Sequence, residues 1–319
     1  MNKLLTFALA LACVSPGLAK ADDFPNKPIH LVVPYSAGGT TDAMARVLQS
    51  SLQKALGQPV IVDNKAGASG SIAAHEVIRS APDGYTLLFV NNGNLAVVPF
   101  VMKAADYDGI KDFTPVALIA GAPMVVVVPE SLPVNDLRGF ISYAKSHPVA
   151  YATAGIGSFG HLSSVLFAKE AGLKLTHVPY KGQAPTTNAV LSNEVQLLIT
   201  TPSGSMNQYI AGKRLKLLAV ASPEESALEP GTPTVASVLP GFAAESWFAI
   251  VGPAGMPADI VKKLNSAFSQ VVQLPEVQQR FKTFGVIPQT STPTALAEKT
   301  ASEVKRWSAL IRDNNISTD

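Results

Sequence analysis

The stretch IHLVVPYSAGGTTDAMARVLQSSLQKALGQPVIVDN, residues 29–64, decides the fold class of this chain. It opens with the apolar run IHLVVP, which predicts a buried strand, and it closes with PVIVDN, which predicts a second one. Between these runs, apolar residues recur near the 3.6-residue period of a helix at Met44, Val47, Leu48, Leu52, Ala55 and Leu56. Gly57 marks the end of that helix. Strand, helix and strand in this order predict an α/β fold with parallel strands.

The same alternation continues along the chain. A glycine turn and helix (AGASGSIAAHEVIRSA) precede a third strand, YTLLFV, and a second series of helices and strands begins near residue 134. The last two strands of that series, VQLLITT and LKLLAVA, are predicted with no helix between them. The remaining chain is predicted to be helical over 258–271, near 277–284 and over 293–313. The pattern therefore predicts an α/β protein with mainly parallel sheets.

Two extended apolar stretches connect the two series of elements. These are APMVVVVPESLP (122–133) and ESWFAIVGPAG (245–255), and both are bounded by prolines. They are predicted to be adjacent hinge strands crossing between two lobes, with a ligand cleft between the lobes. Residues 22–124 and 248–319 would form the first lobe, and 125–247 the second. About 300 residues with 47% hydrophobic composition suffice for two cores.

The first 21 residues have the features of a secretory signal peptide. Lys3 precedes an apolar run from Leu4 to Val14, and the small-x-small triplet Ala19-Lys20-Ala21 follows. The mature chain is therefore predicted to begin at Asp22 and to reside in the periplasm. No later segment approaches the roughly 18 consecutive apolar residues of a membrane-spanning helix.

Removal of this leader leaves a chain with no net charge, because Lys3 and Lys20 are lost from a total of +2 and no acidic residue goes with them. Nucleic acids and anionic membranes bind proteins with a basic excess, so neither is an expected partner. Cys13, the single cysteine, also lies in the leader. A lipid anchor on Cys13 is the alternative interpretation, but the preceding Ala10-Leu11-Ala12 is a poor match to a lipobox.

The chain lacks complete cofactor-binding and catalytic motifs. GIGSFG (155–160) matches the glycine pattern of dinucleotide sites, but the acidic residue expected about 20 residues later is missing. The chain has no GxSxG motif, and its five histidines lack metal-ligand spacing. No cofactor, no metal and no enzymatic activity are therefore predicted.

A strand followed by a small-residue turn and a helix N-terminus occurs three times, at 36–41, 66–71 and 155–158. A helix N-terminus presents unpaired N–H groups and the positive end of the helix dipole, and glycine lets a ligand approach the backbone closely. One such turn alone is more simply a tight turn of any α/β protein. Three of them in two lobes favour an anion-binding site.

Six segments together resemble the Bug family, the extracytoplasmic receptors of tripartite tricarboxylate transporters. They are PNKPIHLVVPYSAGGTTDAMAR, DNKAGASGSIAAHEVIRSAPDGYTLL, DFTPVALIA, YATAGIGSFGHLSSVLFAKEAG, HVPYKG and PGFAAESWFAIVGPAGMPADIVKKLN. The similarity covers the whole mature chain in the correct order. It implies a type II periplasmic-binding-protein fold, in which two α/β lobes close on a small ligand, commonly a carboxylate. It also implies a monomer whose partners are the membrane subunits of such a transporter.

The resemblance also implies which positions bind the ligand, with backbone groups and bridging waters receiving a carboxylate at the second loop. In the first lobe these are Tyr35, Ser36, Ala37, Gly38, Gly39, Thr40, Asp42, Ala66, Gly67, Ala68, Ser69, Asn91, Asn92 and Asn94. In the second lobe they are Thr153, Gly155, Gly157, Ser158, His161, Tyr180, Lys181, Gly182 and Thr200.

Two departures from the family pattern bear on the ligand. Many members have PFPPGG where this chain has PYSAGG, which adds the hydroxyls of Tyr35 and Ser36 to the first loop. Thr200 stands where amino-acid-binding members place an aspartate beside the ligand amine, and a buried ammonium without a counter-charge is unfavourable. The predicted ligand is therefore an amine-free dicarboxylate or an aromatic carboxylate. A signalling receptor for a membrane sensor kinase and, third, a periplasmic hydrolase remain alternative functions.

Overall fold

The computed structural model describes residues 24–35, 37–180, 183–226 and 228–317, which form strands and helices around two sheets. The predicted signal peptide and Cys13 lie outside the described residues. The strands are β1 (Ile29–Val33), β2 (Val60–Asn64), β3 (Thr86–Asn91), β4 (Phe113–Pro123), β5 (Val125–Pro129), β6 (Ala150–Thr153), β7 (Thr176–Pro179), β8 (Leu197–Thr200), β9 (Leu215–Val220), β10 (Glu245–Pro253) and β11 (Ile287–Pro288). The α-helices are α1 (Thr40–Leu56), α2 (Ser71–Ile78), α3 (Asn92–Ala96), α4 (Val98–Val101), α5 (Leu137–Ser146), α6 (Phe159–Ala171), α7 (Gln183–Leu191), α8 (Gly204–Ala211), α9 (Ala258–Val272), α10 (Pro275–Thr283) and α11 (Pro293–Asp313).

The first sheet has the strand order β11-β4-β10-β3-β1-β2. β1 lies between β2 and β3 and is parallel to both, with Ile29 opposite Val60 and His30 opposite Thr86. β10 is antiparallel to β3 and β4. The opening stretch thus forms the parallel strand-helix-strand unit that its pattern predicts.

The helix α1 ends where the sequence predicts. Gly57 adopts a left-handed φ of +68°, and its N–H donates to the Gln53 carbonyl at 2.9 Å, which closes the last turn. Met44, Leu48 and Leu52 of the predicted apolar face are fully buried. Ala55 was expected on that face, but it is exposed. Ala55 lies near the end of the helix, where Leu56 is the residue that faces the core.

The second sheet has the order β7-β6-β8-β5-β9. β6 is parallel to β7 and β8, whereas β5 is antiparallel to β8 and β9. Both strands predicted for this region are present as β8 and β9, but the prediction omits the helix α8 that lies between them. The segment TPSGSMNQYIAGK has few apolar residues, but Ser203 caps the helix by accepting from the Met206 N–H.

Two antiparallel segments connect the sheets side by side. Met124 alone separates the end of β4 from the start of β5. The returning chain enters β10 at Glu245, which pairs with Pro123, and the Ala244 N–H donates to the Ala221 carbonyl at 2.7 Å. These two crossings match the paired hinge strands expected from the sequence. The exact lobe boundaries, 22–124 with 248–319 and 125–247, remain a prediction.

The long C-terminal helix α11 packs against both sheets. Its first half buries Leu296 in a cluster that contains Trp247 and Val251 of the first sheet. Its second half places Trp307 and Leu310 in the core of the second sheet. The two cores are therefore bridged by a helix as well as by the two hinge strands. Within the described part of the chain, no helix combines the length and apolarity needed to cross a membrane.

Candidate functional site

A cavity of about 800 Å³ lies between the two sheets at the carboxyl ends of several strands. Its walls include Tyr35 after β1, Asn91 at the end of β3, Thr153 at the end of β6 and Thr200 at the end of β8. Ligands of open α/β sheets bind at this edge, because the loops there join strands to helix N-termini. A side cavity of about 270 Å³ adjoins it and shares Tyr35, Asn91, Ala154, Ser158 and Phe159.

The structure brings many of the predicted ligand residues into these walls. The main cavity is lined by Tyr35, Ala37, Gly38, Gly39, Thr40, Asn91, Thr153, Ser158 and Thr200, and the side cavity adds Ser69, Asn94 and Gly157. Other predicted residues do not line either cavity: Asp42, Ala66, Gly67, Ala68, Asn92, Gly155, His161 and Tyr180. Ser36, Lys181 and Gly182 lie outside the described residues.

The N-terminus of α1 faces the main cavity without a side-chain cap. Its N-cap residue is Gly39, so no hydroxyl or carboxylate covers the first N–H groups of the helix. Gly38 has a φ of +86°, and its N–H donates to Asp42 Oδ2 at 2.8 Å. Asp42 therefore fixes the turn from the side away from the cavity, and the N-terminal N–H groups of α1 remain open toward the cavity.

Asp42 supports this turn and does not line the cavity. Its carboxylate accepts from the Gly38 N–H and from Arg46 Nε at 3.0 Å, while only 2% of the residue is exposed. Burial by itself would raise the pKa of Asp42, but the hydrogen bonds from Arg46 and Gly38 outweigh it and lower the pKa. Asp42 Oδ2 is thus already paired within the turn, whereas Oδ1 is buried without a hydrogen-bond partner among the described residues.

The second loop of the first lobe is held in a left-handed conformation. Gly67, Ala68, Ser69 and Gly70 have φ values of 133°, 45°, 54° and 93°. Non-glycine residues adopt this region at a cost on the order of 1 kcal/mol each, so the surrounding structure must hold them. A Cβ on Gly70 would lie 2.6 Å from Asn94 Nδ2.

Asn94 is the residue that holds the loops together. Its Nδ2 donates to the Ser69 carbonyl at 3.1 Å, and its Oδ1 accepts from the Tyr35 hydroxyl at 3.2 Å and the Asn91 N–H at 3.1 Å. The Asn91 side chain completes a capping box and donates to the Tyr35 hydroxyl at 2.7 Å. Asn94 therefore joins three of the loops around the cavity.

The loop of the second lobe is built on Ser158 and two glycines. Ser158 caps α6 by accepting from the His161 N–H at 3.2 Å. Gly155 and Gly157 have φ values of 130° and 72°, and a Cβ on Gly157 would lie 2.7 Å from Val101. The N-terminus of α6 consequently reaches the cavity, where Phe159 and Gly160 form part of the wall opposite α1.

Two stacked histidines support this loop from behind. The rings of His161 and His177 are 4.1 Å apart and nearly parallel. His161 Nδ1 accepts from the Gly157 N–H at 3.2 Å, and His177 Nε2 lies 2.7 Å from Thr153 Oγ1. Burial and the neighbouring His177 lower the pKa of His161 to about 4. A neutral His161 is what the loop requires, because Nδ1 must carry a lone pair to accept that bond.

The polar groups facing the cavities are almost all neutral. Apart from Tyr35, no described residue of either wall has an ionisable side chain. Burial raises the pKa of the Tyr35 hydroxyl, although its hydrogen bonds with Asn94 and Asn91 partly oppose this. The described walls therefore contain no acidic side chain that could pair with a ligand ammonium.

The sequence interpretation missed several wall residues. The structure adds Thr41, Met124, Ala154, Phe159, Gly160, Gln183, Thr186, Leu198, Ile199, Thr201, Ser246 and Phe248 to the main cavity. Gln183 Nε2 donates to the Thr201 carbonyl at 2.7 Å and approaches Thr200 Oγ1 at 3.4 Å. Ser246 and Phe248 alternate with Trp247 on β10, so the two-residue period of that strand could have indicated them.

Replacing Ser158 by alanine tests whether its cap belongs to the site. The loss of an N-cap hydroxyl lowers the free energy of unfolding by about 1 kcal/mol, and here it should also weaken ligand binding. Ser203→Ala is the matched control, because Ser203 caps α8 in the same way and does not line the cavity. Equal ligand affinities of the two variants, measured by calorimetry, would contradict a role for Ser158 in the site.

Two α/β lobes around a cleft with neutral walls define a solute-binding receptor of the periplasmic-binding-protein class. Residues 44–316 match the family model described as tripartite tricarboxylate transporter family receptor, and the chain belongs to this family, which includes the Bug proteins. It is 34% identical to protein BugT of Bordetella pertussis over 98% of both chains. The predicted family, fold class and non-enzymatic character are thereby confirmed.

Two solved structures of related proteins carry ligands. Rpa4515 of R. palustris, determined with adipate, has 34% identity and a TM-score of 0.79, with 92% of this chain and 99% of that chain covered. MatC (Rpa3494) from Rhodopseudomonas palustris, with bound malate, has 32% identity and a TM-score of 0.75, with 90% and 100% covered. Both relatives thus bind a small carboxylate.

Proposed function

We propose that this chain is a periplasmic receptor that captures an amine-free carboxylate in the cleft and delivers it to the membrane subunits of a tripartite tricarboxylate-type transporter. The ligand is a dicarboxylate or an aromatic carboxylate. The receptor acts as a monomer, and its lobes close on the ligand by rotation about the paired hinge strands.

The observation that carries this proposal is the pair of helix N-termini on opposite walls. The uncapped N-terminus of α1 and the N-terminus of α6 both reach the main cavity. Each helix end stabilises a nearby anion by roughly 0.3 to 1 kcal/mol. If both ends contact the ligand only when the lobes are closed, the ligand binds the closed state more tightly and shifts the equilibrium toward it. Neutral hydroxyl and amide groups on the walls can complete the hydrogen bonds directly or through water.

The preference for a ligand without an amine rests on the charge of the walls. Thr200 lies on the wall, and the described residues around the cavity include no aspartate or glutamate. The nearby carboxylate of Asp42 is already paired with Arg46. Adipate and malate, which the two relatives bind, are themselves amine-free acids.

A thermal-shift experiment tests the proposal. The protein is unfolded and refolded to remove any retained ligand, and it is then heated with adipate, malate, benzoate, aspartate or glutamate. A ligand at a hundredfold excess over its Kd stabilises the folded state by about 2.7 kcal/mol, so an amine-free acid should raise the melting temperature by several degrees. Stronger stabilisation by aspartate or glutamate would overturn the proposed selectivity, and no shift with any acid would overturn carboxylate binding.

A signalling receptor is the alternative to a transport receptor. Both would bind the same ligand in the same cleft, and they differ in the membrane protein that recognises the closed form. Co-purification with the ligand-loaded protein would decide between them: recovery of a sensor kinase instead of transporter subunits would replace the proposed delivery step.

A further inference from the structure

The C-terminal helix α11 connects the ligand wall of the second lobe to the hinge through one side chain. Glu303 Oε2 accepts from Trp307 Nε1 at 2.6 Å, and Asn92 Nδ2 approaches the same oxygen at 3.5 Å. Asn92 also donates to the Glu245 carbonyl at 3.0 Å, and its Oδ1 lies 3.4 Å from the Ser246 hydroxyl. Glu303 is therefore linked to the point where β10 enters the hinge.

The other end of this connection reaches the two cavities. Trp307 is fully buried in the core of the second sheet, and its ring meets the Phe159 ring edge-to-face with centroids 5.1 Å apart. Phe159 is the first residue of α6 and lines both cavities. Any displacement of the α6 N-terminus by a bound ligand must therefore be accommodated at Trp307, because close-packed cores transmit such shifts.

The helix itself is anchored on both sides of the cleft. Leu296 and Thr300 are buried against the first lobe, and Lys299 Nζ lies 5.9 Å from the centre of the Trp247 ring. The second half of α11 packs on α6. Glu303 lies at the middle of α11, between these two anchored halves.

We propose that Glu303 and Trp307 are positioning residues that couple ligand occupancy at the α6 N-terminus to the hinge strand β10. The ligand-dependent part of this proposal rests on the proposed carboxylate binding. Its ligand-independent part is that Glu303 links Asn92 and the hinge strand to Trp307, which contacts Phe159.

The ligand-free experiment measures backbone hydrogen exchange in Glu303→Ala. Exchange should become faster in α11 and also at residues 92–96, 159–162 and 245–248, because the shared acceptor is lost. Glu298→Ala is the matched control, since Glu298 is an exposed glutamate on the same helix. Glu303→Gln keeps an acceptor oxygen and should restore protection. Faster exchange confined to α11 would overturn the proposal.

Trp307→Phe serves as a second variant if Glu303→Ala does not fold. It preserves an aromatic ring against Phe159 and removes the Nε1 donor, together with part of the buried ring volume. Exchange should rise at 92–96 and 245–248, and unchanged exchange there would overturn the coupling. Binding of the preferred acid should weaken roughly tenfold in either variant, as expected for the loss of one charge-assisted hydrogen bond.

The ligand experiment uses Trp247→Phe, in which Trp307 is the remaining tryptophan. The Trp247 Nε1 has no hydrogen-bond partner among the described residues, so this substitution removes no described hydrogen bond and keeps an aromatic ring in the cluster with Leu296. Adipate, malate and benzoate are titrated by calorimetry and by fluorescence in parallel. A saturable change of Trp307 emission with the calorimetric Kd supports the coupling. Calorimetric binding without an emission change overturns the coupling and leaves the proposed function intact. If no acid binds, the proposed function fails, and hydrogen exchange alone decides the role of Glu303.

Discussion

Replacing Asn94 by alanine should abolish measurable carboxylate binding and lower the free energy of unfolding by about 3 kcal/mol. The substitution removes the acceptor of the Tyr35 hydroxyl and the Asn91 N–H, together with the donor to the Ser69 carbonyl. The unfavourable left-handed conformation of Ala68 and Ser69 would then lose the hydrogen bond that stabilises it. Calorimetry measures the loss of binding, and chemical denaturation measures the loss of stability.

Asn265→Ala is the control that separates folding from binding. Asn265 Nδ2 donates to the carbonyls of Val116 and Ser291 at 2.7 and 2.8 Å, away from the cleft. Its replacement should lower the free energy of unfolding by about 2 kcal/mol and leave the Kd unchanged. If both variants bind equally well, Asn94 does not organise the ligand site.

Lowering the pH from 7 to 4 should reduce the free energy of unfolding by about 3 kcal/mol through His161 alone. The pKa of His161 falls from its usual value of 6.5 to about 4 in the folded protein, because burial and the adjacent His177 disfavour its charged form. Between these two values the unfolded chain binds a proton that the folded chain excludes. Stability is therefore complete above pH 6.5 and is lost as the pH falls toward 4.

The contribution of His161 is isolated with His161→Asn. Asparagine does not titrate, and its Oδ1 can still accept the Gly157 N–H that His161 Nδ1 accepts in the native protein. Denaturation curves at pH 7, 5.5 and 4 should show a smaller loss of stability for the variant than for the native chain. The pKa of His177 is also lowered by burial, so part of the dependence should persist. Parallel pH profiles for both proteins would show that His161 is not the source.

The sequence predicts some features of the loops around the cleft but not the orientation of every side chain in them. The sequence predicts the turn at Gly38 and Gly39 and the helix after Ser158, and both are present, because glycine and an N-cap hydroxyl act on backbone only a few residues away. Asp42 was expected to face the ligand, but the structure pairs it with Arg46 behind the loop. Which face of α1 lies toward the cavity is set by the packing of the helix, so the pairing of Asp42 with Arg46 could not be predicted from the sequence.

Local chemistry determined the α/β class, the ends of α1 and the glycine turns, since periodicity and capping are read within about twenty consecutive residues. Only the tertiary structure decided that Phe159, Gln183 and Phe248 line one cavity, because they lie on three elements that are distant along the chain. It also decided that α11 spans both lobes, where Trp307 meets Phe159 and Glu303 meets Asn92. Such contacts join residues separated by as many as 211 positions, and no local pattern records them.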